Sequence, residues 1–533
     1  MKRYLHALAA TCLIPLLCLS CDDFFALNTD DTLTEDQNYT ELAELTSGFI
    51  GVAATFHDVV DHTVIISGLM GDLMTPTTNA SDDYWDIFNY EVKANNSVAS
   101  PAPYYRTIIA CNDFLRHALE FNAEKPGLID ENTFHSMLAE VIRYRIWCYL
   151  TLGKIYNEAV YFDFSISDKI DLKKCPVWDL DKIVEQSILM MEQGVLGIDL
   201  TLQLNWNLVI KGTTESWNLR GIHPLALEGE LYLWGKQYDK ALWTLMAFVA
   251  SNSRYVMADI PAASRNTTWK SNINSNSSTE MVTAMPYSAT YNQKNMLPYY
   301  FSNVAPNLYY LAPTGRLREM YSHSTNEDFY RRQATLGEEN GQNVIAKYHA
   351  VGAPSREYNT AIPVYRVADL YLMIAEAHNK LRLFGENIDG DYREIAMCFI
   401  NSGLKTYWNS SNFKQPFGNT ALYSTTLQGN AGIRGRIGAG NVNWRNLLPA
   451  DPTPAQTMRL IDSLIVNETA LECAYEGKRW FTLLRMARYW NDPAFIADVV
   501  SQKVTGANRD AIRQRLMDAS NWFIKYEHLQ VMN

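Results

Sequence analysis

The chain has 533 residues, 47% of them hydrophobic and 12% aromatic, ample material for a large core. Its net charge of −12, with Lys and Arg scattered and no basic stripe, argues against a nucleic-acid partner. Thirty-one Tyr and 13 Trp exceed what a core alone requires, and flat amphipathic rings in loops suit carbohydrate or peptide contact.

Lys2 and Arg3 precede a mostly apolar stretch over residues 4–19, interrupted by His6 and Pro15 and too short for a membrane span of about 20 residues. It reads as an export signal over 1–20. The run ends Leu17-Cys18-Leu19-Ser20-Cys21, then Asp22-Asp23, and resembles a bacterial lipobox. Cys21 is therefore the expected lipidation site, with an acidic tether over 21–38 and one body over 39–533. The remaining cysteines, Cys111, Cys148, Cys175, Cys398 and Cys473, are widely spaced with no CxxC pair, so neither a disulfide framework nor a zinc site is expected. Cys148 and Cys473 lie in helical apolar patterns and read as core residues.

Apolar spacings of three and four predict helices over 39–59, 103–121, 131–157 and about 178–195, and a helix pair over 217–253. Within that pair, Gly235-x-x-Tyr238-x-x-Ala241 matches the turn and second helix of a tetratricopeptide repeat. Gly235 is expected to end the first helix in a left-handed conformation, with Ala241 permitting close helix approach. A weaker echo follows Ala375-Glu376-Ala377, where Tyr392 and Ala396 open another helix. The fold class is thus mainly α: tetratricopeptide-like helix pairs forming a scaffold. Three blocks, about 60–102, 254–360 and 406–453, show little period and are expected to be large irregular insertions on one face.

No HExxH, GxSxG or Walker-type GxxxxGK[ST] is present, and Gly435, Gly438 and Gly440 have the wrong order for a dinucleotide fingerprint. His57 and His62 are five apart, which does not place both on one helical face, so no metal or cofactor is expected. The block 79–90 is the best local binding candidate. Tyr84 and Trp85 could offer flat faces to a sugar ring, and Asn79, Asp82 and Asp83 could accept hydroxyl hydrogen bonds. Trp85 and Phe88, three apart, equally fit the core of a short helix. Tyr287, Tyr291, Tyr299 and Tyr300 form a second aromatic set, and Trp444 a third.

Four stretches resemble the SusD/RagB family of surface lipoproteins. They are Tyr105 to Leu115, Leu138 to Leu150, Ile362 to Lys380 with Tyr365-Arg366 and Ala375-Glu376-Ala377, and Glu472 to Arg485 with Glu476-Gly477-Lys478-Arg479. Departures include Tyr156 to Tyr161 where the family has Gly-Asp-x-Pro, and Thr469 after Glu468 where an Arg is usual. The resemblance implies a non-enzymatic, lipid-anchored outer-membrane protein facing the cell exterior. It would capture oligosaccharide for a TonB-dependent, SusC-like transporter; a peptide-capturing member and a surface glycoside hydrolase are the alternatives. The signature charges themselves read as structural: Arg366, Arg479 and Arg485 are expected to pair with carboxylates such as Glu376, Asp369 or Glu472, with Gly477 at positive φ.

Overall fold

The computed structural model describes residues 39–166, 174–209, 217–251, 254–275, 278–287, 294–323, 328–352, 360–381, 392–402 and 431–526. Cys21 and Tyr291 lie outside them.

Helices dominate. The first, α1 (Leu42–Met70), is followed by strand β1 (Met74–Pro76), α2 (Asp82–Asn89), α3 (Ala102–Glu124) and α4 (Glu131–Tyr156). A small hairpin pairs β2 (Glu158–Val160) with β3 (Val177–Asp179), leading into α5 (Leu180–Gln193), α6 (Pro224–Trp234) and α7 (Tyr238–Ser251). The next stretch contains α8 (Arg265–Asn274), β4 (Met281–Met285), β5 (Leu311–Pro313) and α9 (Gly315–His323). The hairpin β6 (Leu336–Glu339) and β7 (Gln342–Ile345) and then β8 (Ile362–Arg366) follow. The C-terminal part is α10 (Val367–Leu381), α11 (Tyr392–Ile400), α12 (Pro454–Glu472), α13 (Arg479–Trp490) and α14 (Ala507–Leu516). Among the described residues, four small sheets each have two antiparallel strands, and helices carry the body.

Helix packing runs as a circuit. α1 lies on α3, α3 on α4, α4 on α5, α5 on α6 and α6 on α7; α7 meets α10, α10 meets α11 and α12, and α13 returns to α1. One apolar core extends through these elements, from Leu45 to Ile524. The expected helix pairs are present, and the helix opened by Tyr392 packs on α10.

α1 runs eleven residues past its expected end, into the block read as irregular. Val59, Val60, Val64, Ile65, Ile66, Leu69 and Met70 are buried around several sides, which erases the amphipathic period. Thr63 and Ser67 satisfy their hydroxyls within the helix, on the carbonyls of Val59 and Thr63 at 2.6 Å each. The 254–360 block is also less irregular than expected, since α8, β4, β5, α9 and the β6–β7 hairpin fall within it.

The repeat-like turn differs in one detail. Gly235 has φ −78°, and the left-handed residue is Lys236 at φ 58°. A Cβ at Gly235 would stand 2.8 Å from Ile188 Cδ1 of α5, a methyl end that a small side-chain shift moves aside. Gly229 makes the closer α6–α7 approach, where a Cβ would meet Leu245 Cδ2 at 2.4 Å and Cγ at 2.5 Å. Gly229→Val is expected to destabilise the fold by about 1–3 kcal/mol through overpacking, read as a lowered thermal midpoint by circular dichroism.

The signature charges form a buried network. Arg366 donates to Glu472 and Glu476 at 2.7 Å each, Arg331 to Glu468 at 2.7 Å and to Glu472 at 2.9 Å, and Arg434 to Glu468 at 2.9 Å. Arg436 pairs with Glu280 and Glu472, Arg331 with Asp328 and Lys347 with Glu476. Five cations thus face five carboxylates with no more than 3% of any of these side chains exposed. Arg485 meets Glu376 at 2.6 Å, and Gly477 has φ 75°, both as expected. Arg479 also pairs with a buried carboxylate, though not one named in the sequence: Asp72, just past α1, at 2.8 Å. The five described cysteines are free, with Cys148 and Cys473 fully buried.

Candidate functional site

β1 and β5 bring two distant loops together. Met74, Thr75 and Pro76 pair with Pro313, Ala312 and Leu311, and the zipper continues as Thr77 N–H donates to Tyr310 O at 2.8 Å. Asn79 Nδ2 then donates to Leu308 O at 3.2 Å. Leu308 N–H in turn donates to Tyr299 O at 2.8 Å, which closes the 299–308 loop on itself. The rings that follow from this register form a chain of contacts. Tyr84 of α2 meets Tyr310 edge-on at 5.6 Å, Tyr310 lies 6.1 Å from Tyr300, and Tyr300 lies 5.9 Å from Tyr299. Tyr84 is buried, whereas Tyr299, Tyr300 and Tyr310 keep part of their surface open.

α2 is clamped in place rather than free to drift. Asn96 Nδ2 donates to Asp83 O at 2.9 Å, and the Asp83 carboxylate accepts Ser97 N–H at 3.0 Å. At its end Tyr90 takes a left-handed conformation, φ 59°, and its hydroxyl donates to Met70 O. Trp85 is half-buried and meets the buried Phe88 edge-on at 5.7 Å, so it serves the core and keeps an open portion. Asn79 and Asp82 are exposed.

The loop carrying Tyr299 to Tyr310 rests on the β6–β7 hairpin. Glu339 accepts Ser302 Oγ at 2.8 Å, Asn303 N–H at 2.7 Å and Gly352 N–H at 3.0 Å. Asn340 Nδ2 donates to Asn303 O at 2.6 Å, and the Tyr309 hydroxyl donates to Asn343 O at 2.8 Å. Tyr309 itself has φ 49°, a conformation that turns the chain so that Tyr309 and Tyr310 face different neighbours.

Two imidazoles of α1 pack on other rings. His57 stacks on the buried Tyr287 at 4.9 Å, and His62 lies against Tyr104 and meets Ser100 O at 3.1 Å. Burial, aided by Arg220, pushes His57 down to about 3; burial, with Arg106 adding to it, holds His62 at about 4. Burial first, then the neighbouring Asp58, pushes Asp61 up to about 7. Burial raises the Tyr300 phenol, and the Asp61 charge adds to it. A carboxyl held above its unfolded value of about 3.8 favours the native state while protonated, and that advantage is lost as pH rises from about 4 through 7. Asp61→Asn is therefore expected to raise the thermal midpoint at pH 8 and leave it nearly unchanged at pH 4, measured by paired melts.

Of the residues singled out in the sequence, Asn79, Tyr84, Tyr299 and Tyr300 come together, with Trp85 and Asp82 on the same short helix. Tyr287 lies deeper, joined to this region through His57 and Asp61. Trp444 is buried in a turn packed on α12, with Arg445 across its ring at 4.4 Å. Tyr310, Asp58, Asp61 and Glu339 were not legible as site residues. The Tyr309-Tyr310 pair inside a Pro-punctuated block is the one compositional signal that points to them.

Residues 279–522 match the SusD family model. The match covers a little under half of the chain. The SusD-like fold extends further. A SusD superfamily protein from Bacteroides vulgatus superposes with a TM-score of 0.62 at 12% identity, covering 91% of this chain and 97% of its own. Surface glycan-binding protein A from Bacteroides uniformis gives 0.62 at 17% identity, covering 92% and 97%. Surface glycan-binding protein A from Bacteroides thetaiotaomicron, in complex with laminarihexaose, gives 0.58 at 17% identity, covering 90% and 95%. No curated protein sequence matches the chain.

Proposed function

We propose that this SusD-like chain is a non-enzymatic surface protein that binds oligosaccharide on the tyrosine cluster and hands it to a TonB-dependent, SusC-like transporter. Acylation of Cys21, after removal of residues 1–20, would anchor it to the outer membrane with the helical body facing outward. The observation that carries the binding role is the meeting of the buried Tyr84 of α2 with the part-open Tyr310 and Tyr300 of a loop more than 200 residues away, with the half-buried Trp85 next to Tyr84 on the same helix. Such rings stack on the C–H face of a sugar, while the bordering carboxylates and amides take its hydroxyls. Support also comes from the family match and from a structural relative that holds laminarihexaose.

One feature favours the hydrolase alternative: Asp61, a carboxyl raised to about 7, beside Asp58. The two stand one turn apart on a single helix, whereas a glycosidase pair flanks the scissile bond from opposite sides. The deciding experiment is calorimetric titration of the purified chain with a panel of oligosaccharides and peptides, with reducing ends assayed in parallel. Saturable glycan binding without release of reducing ends is expected. Binding confined to peptides, or turnover of a glycan, would overturn the proposal. Co-purification of the full chain with its transporter, lost on Cys21→Ala, tests the anchoring and delivery steps separately.

A further inference from the structure

A second ring-lined surface begins where α2 ends, at the opposite end of that helix from Tyr84. There residues 519–526 run beside the ends of α2 and α4 as a strap. Trp522 and Ile524 are buried, whereas Phe523 is half-buried and Lys525 exposed. Phe523 is extended, with φ −123° and ψ 146°, so side chains alternate between the core and the solvent. Two solvent-open clefts flank the strap and share Val92, Phe523 and Lys525. One, of about 610 Å³, reaches Tyr90 and Glu91. The other, of about 1220 Å³, reaches Tyr156, Asn157, Glu158, Ser520 and Tyr526. Tyr526 meets Tyr156 edge-on at 6.4 Å and keeps part of its surface open.

Both walls are fixed before any ligand arrives. Arg515 of α14 pairs with Glu91 at 2.6 Å and donates to Asn89 O, which pins the corner after α2. Ile524 N–H donates to Ile155 O at 2.8 Å, Trp522 Nε1 to Leu516 O and Asn521 Nδ2 to Arg515 O, both at 2.9 Å. Such a surface needs little ordering when it binds. The backbone donors of Ser520, Asn521 and Ile524 are spent internally, so a peptide strand finds few partners along the strap. What remains is side chains: the rings of Phe523 and Tyr526, with Asn157, Glu158, Ser520 and Lys525 around them. Among the described residues Glu158 and Lys525 form no ion pair, which leaves both able to bond a hydroxyl. Apolar rings bordered by polar groups in an open trough fit a saccharide, whose C–H face and hydroxyl edge require both at once. Resting on the glycan reading above for the class of ligand, we propose that this trough is a second saccharide site, separate from the tyrosine cluster.

Trisaccharides count the sites. Laminaritriose, cellotriose, maltotriose and mannotriose are each titrated into the purified chain by calorimetry, with the number bound at saturation read by native mass spectrometry. Whichever of them binds is expected to fill two sites per chain. Phe523→Ala removes a ring, and Ser520→Trp fills the trough from an exposed position. Each is expected to weaken one binding event at least about tenfold and leave the other within about twofold, whereas Tyr310→Ala weakens the other event. Ser520→Trp leaves the core untouched, so the test stands even if Phe523→Ala folds poorly. One sugar per chain, lost on Tyr310→Ala and indifferent to Ser520→Trp, would overturn this inference and leave the glycan reading intact. So would two sugars per chain with neither event weakened by Ser520→Trp or Phe523→Ala. One sugar per chain, lost on Ser520→Trp and indifferent to Tyr310→Ala, would uphold the trough and remove the glycan from the tyrosines. Binding of no sugar, with peptides bound instead, would defeat both readings together.

Discussion

Glu472→Ala is expected to remove about 3–5 kcal/mol of stability, a large share of the roughly 5–15 kcal/mol that holds a typical domain together. Glu472 is fully buried near the end of α12, where Arg331 reaches it at 2.9 Å and Arg366 at 2.7 Å, with Arg436 as a third partner. Deleting its carboxylate leaves three buried guanidinium groups short of countercharge in a region that water does not reach. Glu472→Gln keeps the size and an acceptor oxygen but not the charge, so it should recover only part of the loss. Urea unfolding followed by tryptophan fluorescence measures both as shifts in midpoint. An exposed pair, Arg513 with Asp498, supplies the control, and Asp498→Ala should barely move the midpoint.

The pH dependence of the same variant has a definite sign. The three arginines hold the Glu472 carboxyl well below its ordinary value of 4.5, outweighing the burial that opposes them. Its contribution is therefore fully present above about 4.5 and is lost as pH falls below it. The difference in midpoint between wild type and Glu472→Ala should be constant from pH 8 to 6 and shrink progressively below about 4.5.

Tyr310→Ala is expected to weaken oligosaccharide binding by at least about tenfold, with a smaller effect on stability than the network variant, since its ring keeps part of its surface open. Tyr310 is the hinge of the cluster, in contact with both Tyr84 and Tyr300, so its removal interrupts the platform in the middle. Glu339→Ala gives an independent handle because Glu339 sits behind the loop, on Ser302, Asn303 and Gly352. It should weaken binding about as much as loss of one ring, through a loosened loop. Glu339→Gln, which can still accept two of those hydrogen bonds, should restore most of the affinity. Calorimetric titration separates the two: loss of a ring lowers the binding enthalpy, whereas a loosened loop appears chiefly as an entropic cost.

Much of the scaffold was legible because helix period and small-residue spacing are local. α3, α4, α5 and the α6–α7 pair each carry a pattern visible within one window, and Arg366 and Arg485 announced buried ion pairs by lying in apolar surroundings. What failed was non-local or crowded. Asp72, the partner of Arg479, is 407 positions away, and nothing in either neighbourhood links them. The end of α1 was hidden because its last turns are buried on several sides, leaving no polar face to mark a helix. At the repeat-like turn, Lys236 and not Gly235 takes the left-handed φ, a choice that the spacing of the repeat pattern does not reveal.

The binding surface shows the same division. Tyr84, Trp85 and Asn79 were visible as an aromatic and polar block, and Tyr299 and Tyr300 as a second. That they meet depends on the register of β1 against β5, three residue pairs joining segments about 240 apart, which neither sequence segment specifies alone. Asp58 and Asp61 were hidden for a related reason: on α1 they read as ordinary polar positions, and nothing beside them in the sequence marks the burial that raises Asp61.

A crystal structure of the chain soaked with the tightest-binding hexasaccharide tests the central claim most directly. A sugar ring stacked against Tyr300 or Tyr310, with Trp85 beside it and hydroxyls directed to the α1 and α2 carboxylates, is the expected result. Saccharide density seated on another face, with these tyrosines left bare, would contradict it.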